Sequence, residues 1–162
     1  LVVVENPCHL LKLFTLHSNM ETSGNIAFIL GGSFSAAAAV AHLICIAVGP
    51  AAYRLMGAGE RMARAAEQGK LHPTLVTLAV SGGLFVWAAV AFSAAGLIEQ
   101  LPFTKYYLAG ISTVYLARAV ALPVLKPLFP ENSLTFWIVS SGICLVIGIV
   151  HAYGLVLKWS VL

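Results

Sequence analysis

The chain has 162 residues, of which 60% are hydrophobic and 9% charged, and its mean hydropathy is +0.93. Soluble domains carry roughly 25% charged residues, so a surface this poor in charge excludes a soluble monomer. Nine Lys/Arg against six acidic residues, all Glu, leave a net charge of +3, too small for a nucleic-acid footprint, and no nucleic-acid partner is expected.

Residues 1–19 contain one apolar run, at 10–16, which is too short to cross a bilayer. Two readings stay open for them. One is an upstream extension ahead of Met20-Glu21-Thr22-Ser23; the other is a short interfacial helix that turns Leu10, Leu11, Leu13, Phe14 and Leu16 toward lipid. No basic segment precedes an adequate apolar one, so a cleaved signal peptide is not expected. Residues 20–162 form the second region, a transmembrane domain.

Formal charge is absent between Glu21 and Arg54, between Lys70 and Glu99, and between Glu131 and Lys158. The stretch from Lys105 to Lys126 is broken only by Arg118. A hydrocarbon core about 30 Å thick takes about 20 apolar residues as a helix. Spans are therefore expected over about 26–48, 74–97, 104–125 and 134–157. Lipid offers the backbone no partners, so each span must be a complete helix, and no apolar/polar alternation supports a barrel. The expected fold is all-α: an integral-membrane, antiparallel four-helix bundle with a short amphipathic helix in its first loop.

The ends are marked by Gly49-Pro50, His72-Pro73-Thr74, Pro102, Pro127 and Pro130, with Asn132 or Ser133 able to cap the last span. Trp137, Trp159, Tyr106, Tyr107 and Tyr153 fall near span ends, where amphipathic rings favour the headgroup layer; Trp87 falls inside and must pack on helices or tails. The first and third loops together carry Arg54, Arg61, Arg64, Lys70 and Lys126, against Lys12, Lys105 and Lys158 on the other side. The positive-inside rule places these two loops in the cytoplasm and both termini outside.

Helices associate in lipid through small residues. Gly31-Gly32-Ser33 with Ser35 to Ala39, Ser81-Gly82-Gly83, Ala91 with Ala95, Ala117 with Ala121, Ser140-Ser141-Gly142 and Gly148 with Ala152 supply such a face in each span. In the long first loop, Glu60 to Gln68 suits a surface helix stopped by Gly69, with Glu60 and Arg64 paired and Met62, Ala65 and Ala66 toward the membrane. Arg61, Arg64 and Lys70 then form a surface for lipid headgroups or a partner.

Ionisable residues within a span are costly, so each is a functional candidate. His42 and Arg118 both lie roughly 10 Å from the cytoplasmic end of their spans and share a layer. Arg118 has two readings: a chain snorkelling to the headgroups, or a buried cation in a polar pocket with His42, Tyr53, Arg54, Glu60 and Tyr115, able to grip a carboxylate or phosphate headgroup. His42 and His151 are the only intraspan histidines a metal could use, but they differ in depth by roughly 15 Å, His151 falling near the outer interface beside Tyr153 and Trp159, which argues against a bis-histidine haem. No cofactor or metal is expected. Cys8, Cys45 and Cys144 form no C-x-x-C and are taken as packing residues.

The spans contain no carboxylate, which argues against acid–base catalysis and proton-coupled antiport. The expected function is a non-enzymatic bundle that binds a membrane partner, a second copy or lipid; the alternative is a small oligomeric transporter or channel around His42 and Arg118. The segment Tyr53-Arg54-Leu55-Met56-Gly57-Ala58-Gly59-Glu60-Arg61-Met62-Ala63 resembles a signature of small four-span membrane proteins of bacteria, as do Pro73-Thr74-Leu75-Val76-Thr77-Leu78 and Val114-Tyr115-Leu116-Ala117-Arg118. The resemblance covers about residues 22–157. It implies a bacterial inner-membrane protein and carries no mechanism.

Overall fold

The computed structural model describes residues 7–162, with side chains from Leu11 onward except Leu13. The described chain is all-helical: α1 (Pro7–Val48), α2 (Pro50–Leu55), α3 (Glu60–Glu67), α4 (His72–Ala94), α5 (Thr104–Val120), α6 (Leu122–Leu125), a 3-10 turn (Lys126–Leu128) and α7 (Leu134–Lys158). Three of these helices are long and apolar enough to cross a membrane, and α5 with α6 and the 3-10 turn makes a fourth if counted as one bent span.

The first helix differs most from expectation. It has 42 residues, about 63 Å of helix, with no boundary near residue 19. Nothing in the sequence breaks it there: no proline lies between Pro7 and Pro50, and Gly24, inside the helix, is tolerated by tertiary contact. The residues before Pro7, and the side chains of Cys8, Leu10 and Leu13, lie outside the described residues. Leu11, Phe14 and Leu16 are all exposed.

From Gly24 onward α1 buries a stripe at helical spacing, through Ala27, Gly31, Ser35, Ala39 and Cys45. It packs against α4 and α7, and α7 packs in turn against α5. The pairing of α1 with α7 is antiparallel: Gly24 lies against Lys158 and Gly31 against His151. The same register brings Gly154 to Phe28. On the α4 side Gly32 meets Phe92 and Ala88, and the Ser81 hydroxyl donates to the Ala39 carbonyl at 3.0 Å. Gly148 of α7 accepts Leu116 of α5.

Only part of the expected small-residue pattern makes these contacts. A side chain at Gly31, Gly32 or Gly148 would strike a neighbour, but one at Gly82, Gly83 or Gly142 would meet open space. Helical rotation carries these three away from the packed stripe. Gly24 and Gly154, which the sequence did not single out, are close-approach positions.

Helix ends follow local chemistry. The second span ends at Ala94 rather than 97, because Gly96 adopts φ +75 and the Gly96 and Leu97 amides return to the Ser93 and Phe92 carbonyls, a Schellman stop. Gly69 closes α3 the same way, with Lys70 N–H on Ala65 O. The third span breaks after Val120, and the segments on either side meet at 61°. Pro123 lacks the amide that would continue the ladder and crowds the preceding turn. Ser133 caps α7, its hydroxyl accepting from Phe136 N–H at 3.1 Å.

Candidate functional site

The loop containing α2 and α3 is docked rather than free. Arg54 donates to Glu60 at 2.9 Å and to Glu67 at 2.7 Å, and Arg64 donates to Glu60 at 3.0 Å. These hydrogen bonds, Arg54 first and Arg64 second, hold the Glu60 carboxyl down to about 2. Glu60, then Glu67, raises the already high Arg54 value further. The pairs are exposed and contribute little stability in water; they fix geometry.

Glu131, from the third loop, accepts the free Glu60 N–H of α3 at 2.9 Å. A bond from its own amide, and then the one from Glu60, lower the Glu131 carboxyl. Asn132 donates to Gly57 O at 3.0 Å. The first and third loops thus lie at the same end of the helices. The inner face of α3 is also shifted from expectation: Ala63 is its fully buried residue, against Cys45 and Tyr53, with Met62, Ala65 and Ala66 only half-buried. Arg61, Arg64 and Lys70 are exposed.

The six residues expected to share one pocket are not brought together. Arg54 and Glu60 are in the loop network. Tyr53 is buried beneath it, its hydroxyl without a hydrogen-bond partner. His42 bonds through Nδ1 to Ala38 O of its own helix at 2.8 Å. Among the described residues no hydrogen bond or ring contact joins it to Arg118. Arg118 donates to the Ser140 hydroxyl at 3.2 Å; its neighbour Leu116 packs on Gly148, about two turns along α7 from Ser140, so the Arg118 side chain reaches toward the loop end.

Tyr115 lies deeper. Its hydroxyl pairs with Ser35 at 2.9 Å, Trp87 meets its ring edge-on at 5.2 Å between centroids, and His151 stacks on it at 5.7 Å. His151, expected near the outer interface, is instead fully buried between this ring and Gly31, with Nδ1 on Ile147 O at 2.9 Å and Nε2 unpaired. The glycine at position 31 is what lets the imidazole enter. Along the axis His42 and His151 stand about 16 Å apart, so they do not meet.

Around Arg118 the donors outnumber the acceptors. Its guanidinium carbon sits 5.1 Å above the Trp137 ring, and Nη1 is buried with no partner. Trp137 is 2% exposed, packed on Phe129 and Phe136 rather than placed in an interfacial belt, and its Nε1 is also unpaired. So is the Ser141 hydroxyl. Ser140 and Ser141, read in the sequence as packing residues, belong to this cluster.

At the opposite end Lys158 donates to Asn25 Oδ1 at 2.6 Å and to Ala94 O at 2.7 Å, tying three helices together. Lys105 lies over the Trp159 ring at 5.1 Å, while Tyr106, Tyr107 and Tyr153 are exposed, as the sequence predicts for end rings. A hollow of about 340 Å³ opens there beside Glu21, Ser93, Gln100 and Lys158. An apolar groove of about 340 Å³ runs between α1 and α7 past Ile26, Leu30 and Tyr153. Comparison with known families, with characterised proteins and with solved structures finds no match.

Proposed function

We propose that the chain is a multi-pass membrane protein, a bundle crossing the bilayer four times, that works by holding another membrane component, lipid or protein subunit, and not by catalysis or transport. The observation that supports this reading is a filled interior. At Gly31, Gly32, Gly148 and Gly154 even one added carbon would come within 2.6–2.9 Å of a neighbour, so the helices touch along their inner faces. The interior hydroxyls of Ser35, Tyr115, Ser81 and Ser112 are bonded within the protein. Outside, Ile26, Ile44, Val86, Ile143 and Val156 are exposed apolar groups suited to lipid tails.

The two docked loops carry most of the Lys and Arg, so this end is assigned to the cytoplasm and the termini to the outside, in a bacterial inner membrane as the resemblance implies. A second copy of the chain is one partner that such an exterior suits. The assembly extracted in mild detergent is expected to weigh more than one 17.1 kDa chain and to bring down a stoichiometric lipid or protein. Liposomes containing wild type or Arg118→Ala are expected to leak at the protein-free rate. A bare monomer, or saturable flux that Arg118→Ala removes, would contradict the reading.

A further inference from the structure

The group around Arg118 is a cation with nothing to neutralise it. Among the described residues every carboxylate is elsewhere: Glu60 and Glu67 pair with Arg54 and Arg64, Glu131 accepts from the Glu60 amide, Glu21 lies beside His17, and Glu99 is in the loop at the other end. Burying an unpaired charge is expensive, and a guanidinium with a free edge recruits an oxyanion whose two oxygens match its fork.

Three donor-bearing groups there lack partners: Arg118 Nη1, Trp137 Nε1 and Ser141 Oγ. Arg118 and Trp137 are in contact, and Ser141 follows Trp137 by four residues, on the same stripe of α7. Arg118 and Trp137 both lie toward the end of the bundle that holds the docked loops, from which a long side chain can reach the headgroups. Arg118 lies two residues before the end of α5 and Trp137 in the first turn of α7.

We infer that Arg118, Trp137, Ser140 and Ser141 form a binding site for a phosphate group, supplied by a phospholipid headgroup of the adjoining leaflet. The inference rests on the membrane insertion proposed above and names what is held. Arg118 supplies the charge-assisted bonds, Ser140 fixes the guanidinium by accepting from Nη2, and the Trp137 ring sets its plane. The indole and Ser141 donors complete the oxyanion's shell.

The test uses full-length wild type, Arg118→Gln and Trp137→Phe, each checked for helix content by circular dichroism. Each protein is equilibrated with micelles holding phosphatidylglycerol or the phosphate-free diacylglycerol, then weighed by native mass spectrometry. Wild type is expected to retain one phosphatidylglycerol and no diacylglycerol. Loss of one charge-assisted contact corresponds to a drop in affinity of about tenfold or more for Arg118→Gln. Trp137→Phe keeps the ring but removes the N–H, and a smaller loss is expected.

Inorganic phosphate, added alone to lipid-free detergent samples, separates the sources. An Arg118-dependent rise in unfolding midpoint with the ion, without lipid retention, would transfer the site from headgroup to free phosphate. Equal retention by all three proteins, or diacylglycerol held as well as phosphatidylglycerol, would overturn the site while leaving membrane insertion intact. Release of the chain from membranes by alkaline carbonate would overturn both.

Discussion

Gly31→Ala is expected to destabilise the protein by about 1–3 kcal/mol, the range for overpacking a filled core. The added methyl would lie 2.6 Å from His151 Cε1 and 2.8 Å from Nδ1. The ring cannot step aside: it is fully buried, stacked on Tyr115 and bonded to Ile147 O. In a helix interior alanine is otherwise favoured over glycine by up to about 1 kcal/mol. The sign should therefore reverse in a His151→Ala background, where Gly31→Ala becomes neutral or stabilising. Unfolding in mixed micelles with increasing dodecyl sulfate, read by circular dichroism, gives both differences. An equal penalty with and without the ring would show that α1 and α7 are not in the register described.

Gly57→Ala is expected to cost about 3 kcal/mol or more, and Gly69→Ala only about 1 kcal/mol. Both glycines have positive φ, at +70 and +69, where an L side chain is strained. They differ in surroundings. A Cβ at Gly69 meets nothing within 4 Å, but one at Gly57 runs into the Phe136 ring. The effect also spreads, because Gly57 O accepts from Asn132 and the neighbouring Glu60 N–H rests on Glu131. Proteolysis between Arg54 and Lys70 should accelerate with the Gly57 change and not with the Gly69 change. Combining Gly57→Ala with Phe136→Ala should reduce the penalty toward the Gly69 value. Identical penalties at the two glycines would mean that the loops are not docked.

Signals carried by a short stretch of chain were legible before the structure. Charge-poor runs locate α4, α5 and α7, Ser133 caps where a hydroxyl precedes an apolar helix, Gly69 stops α3, and Glu60 pairs with Arg64 one turn away. Depth along a helix was legible too: counting at about 1.5 Å per residue separates His42 from His151. Rotation about the axis was not. Gly82 and Gly148 read alike as small residues, and only packing shows that Gly148 touches Leu116 while Gly82 touches nothing.

The candidate site was hidden for the same reason. Arg118 stands out as a charge within a span, but its partners Trp137 and Ser140 come from a helix whose register no local pattern specifies. His151 reads as interfacial beside Tyr153 and Trp159. The glycine that admits it to the interior lies on α1, far away in sequence. Glu67 and Glu131, which complete the loop network, lack a local spacing rule that would join them to Arg54 and Glu60.

Single cysteines at Arg61, Glu99, Glu131 and Ser160, placed in a background with Cys8, Cys45 and Cys144 replaced, test the four crossings most directly. In intact bacterial cells a membrane-impermeant maleimide should label positions 99 and 160, and label 61 and 131 only after lysis. Labelling of all four before lysis, or of 99 together with 131 on one side, would contradict a chain that passes through the bilayer at α1, α4, α5 and α7.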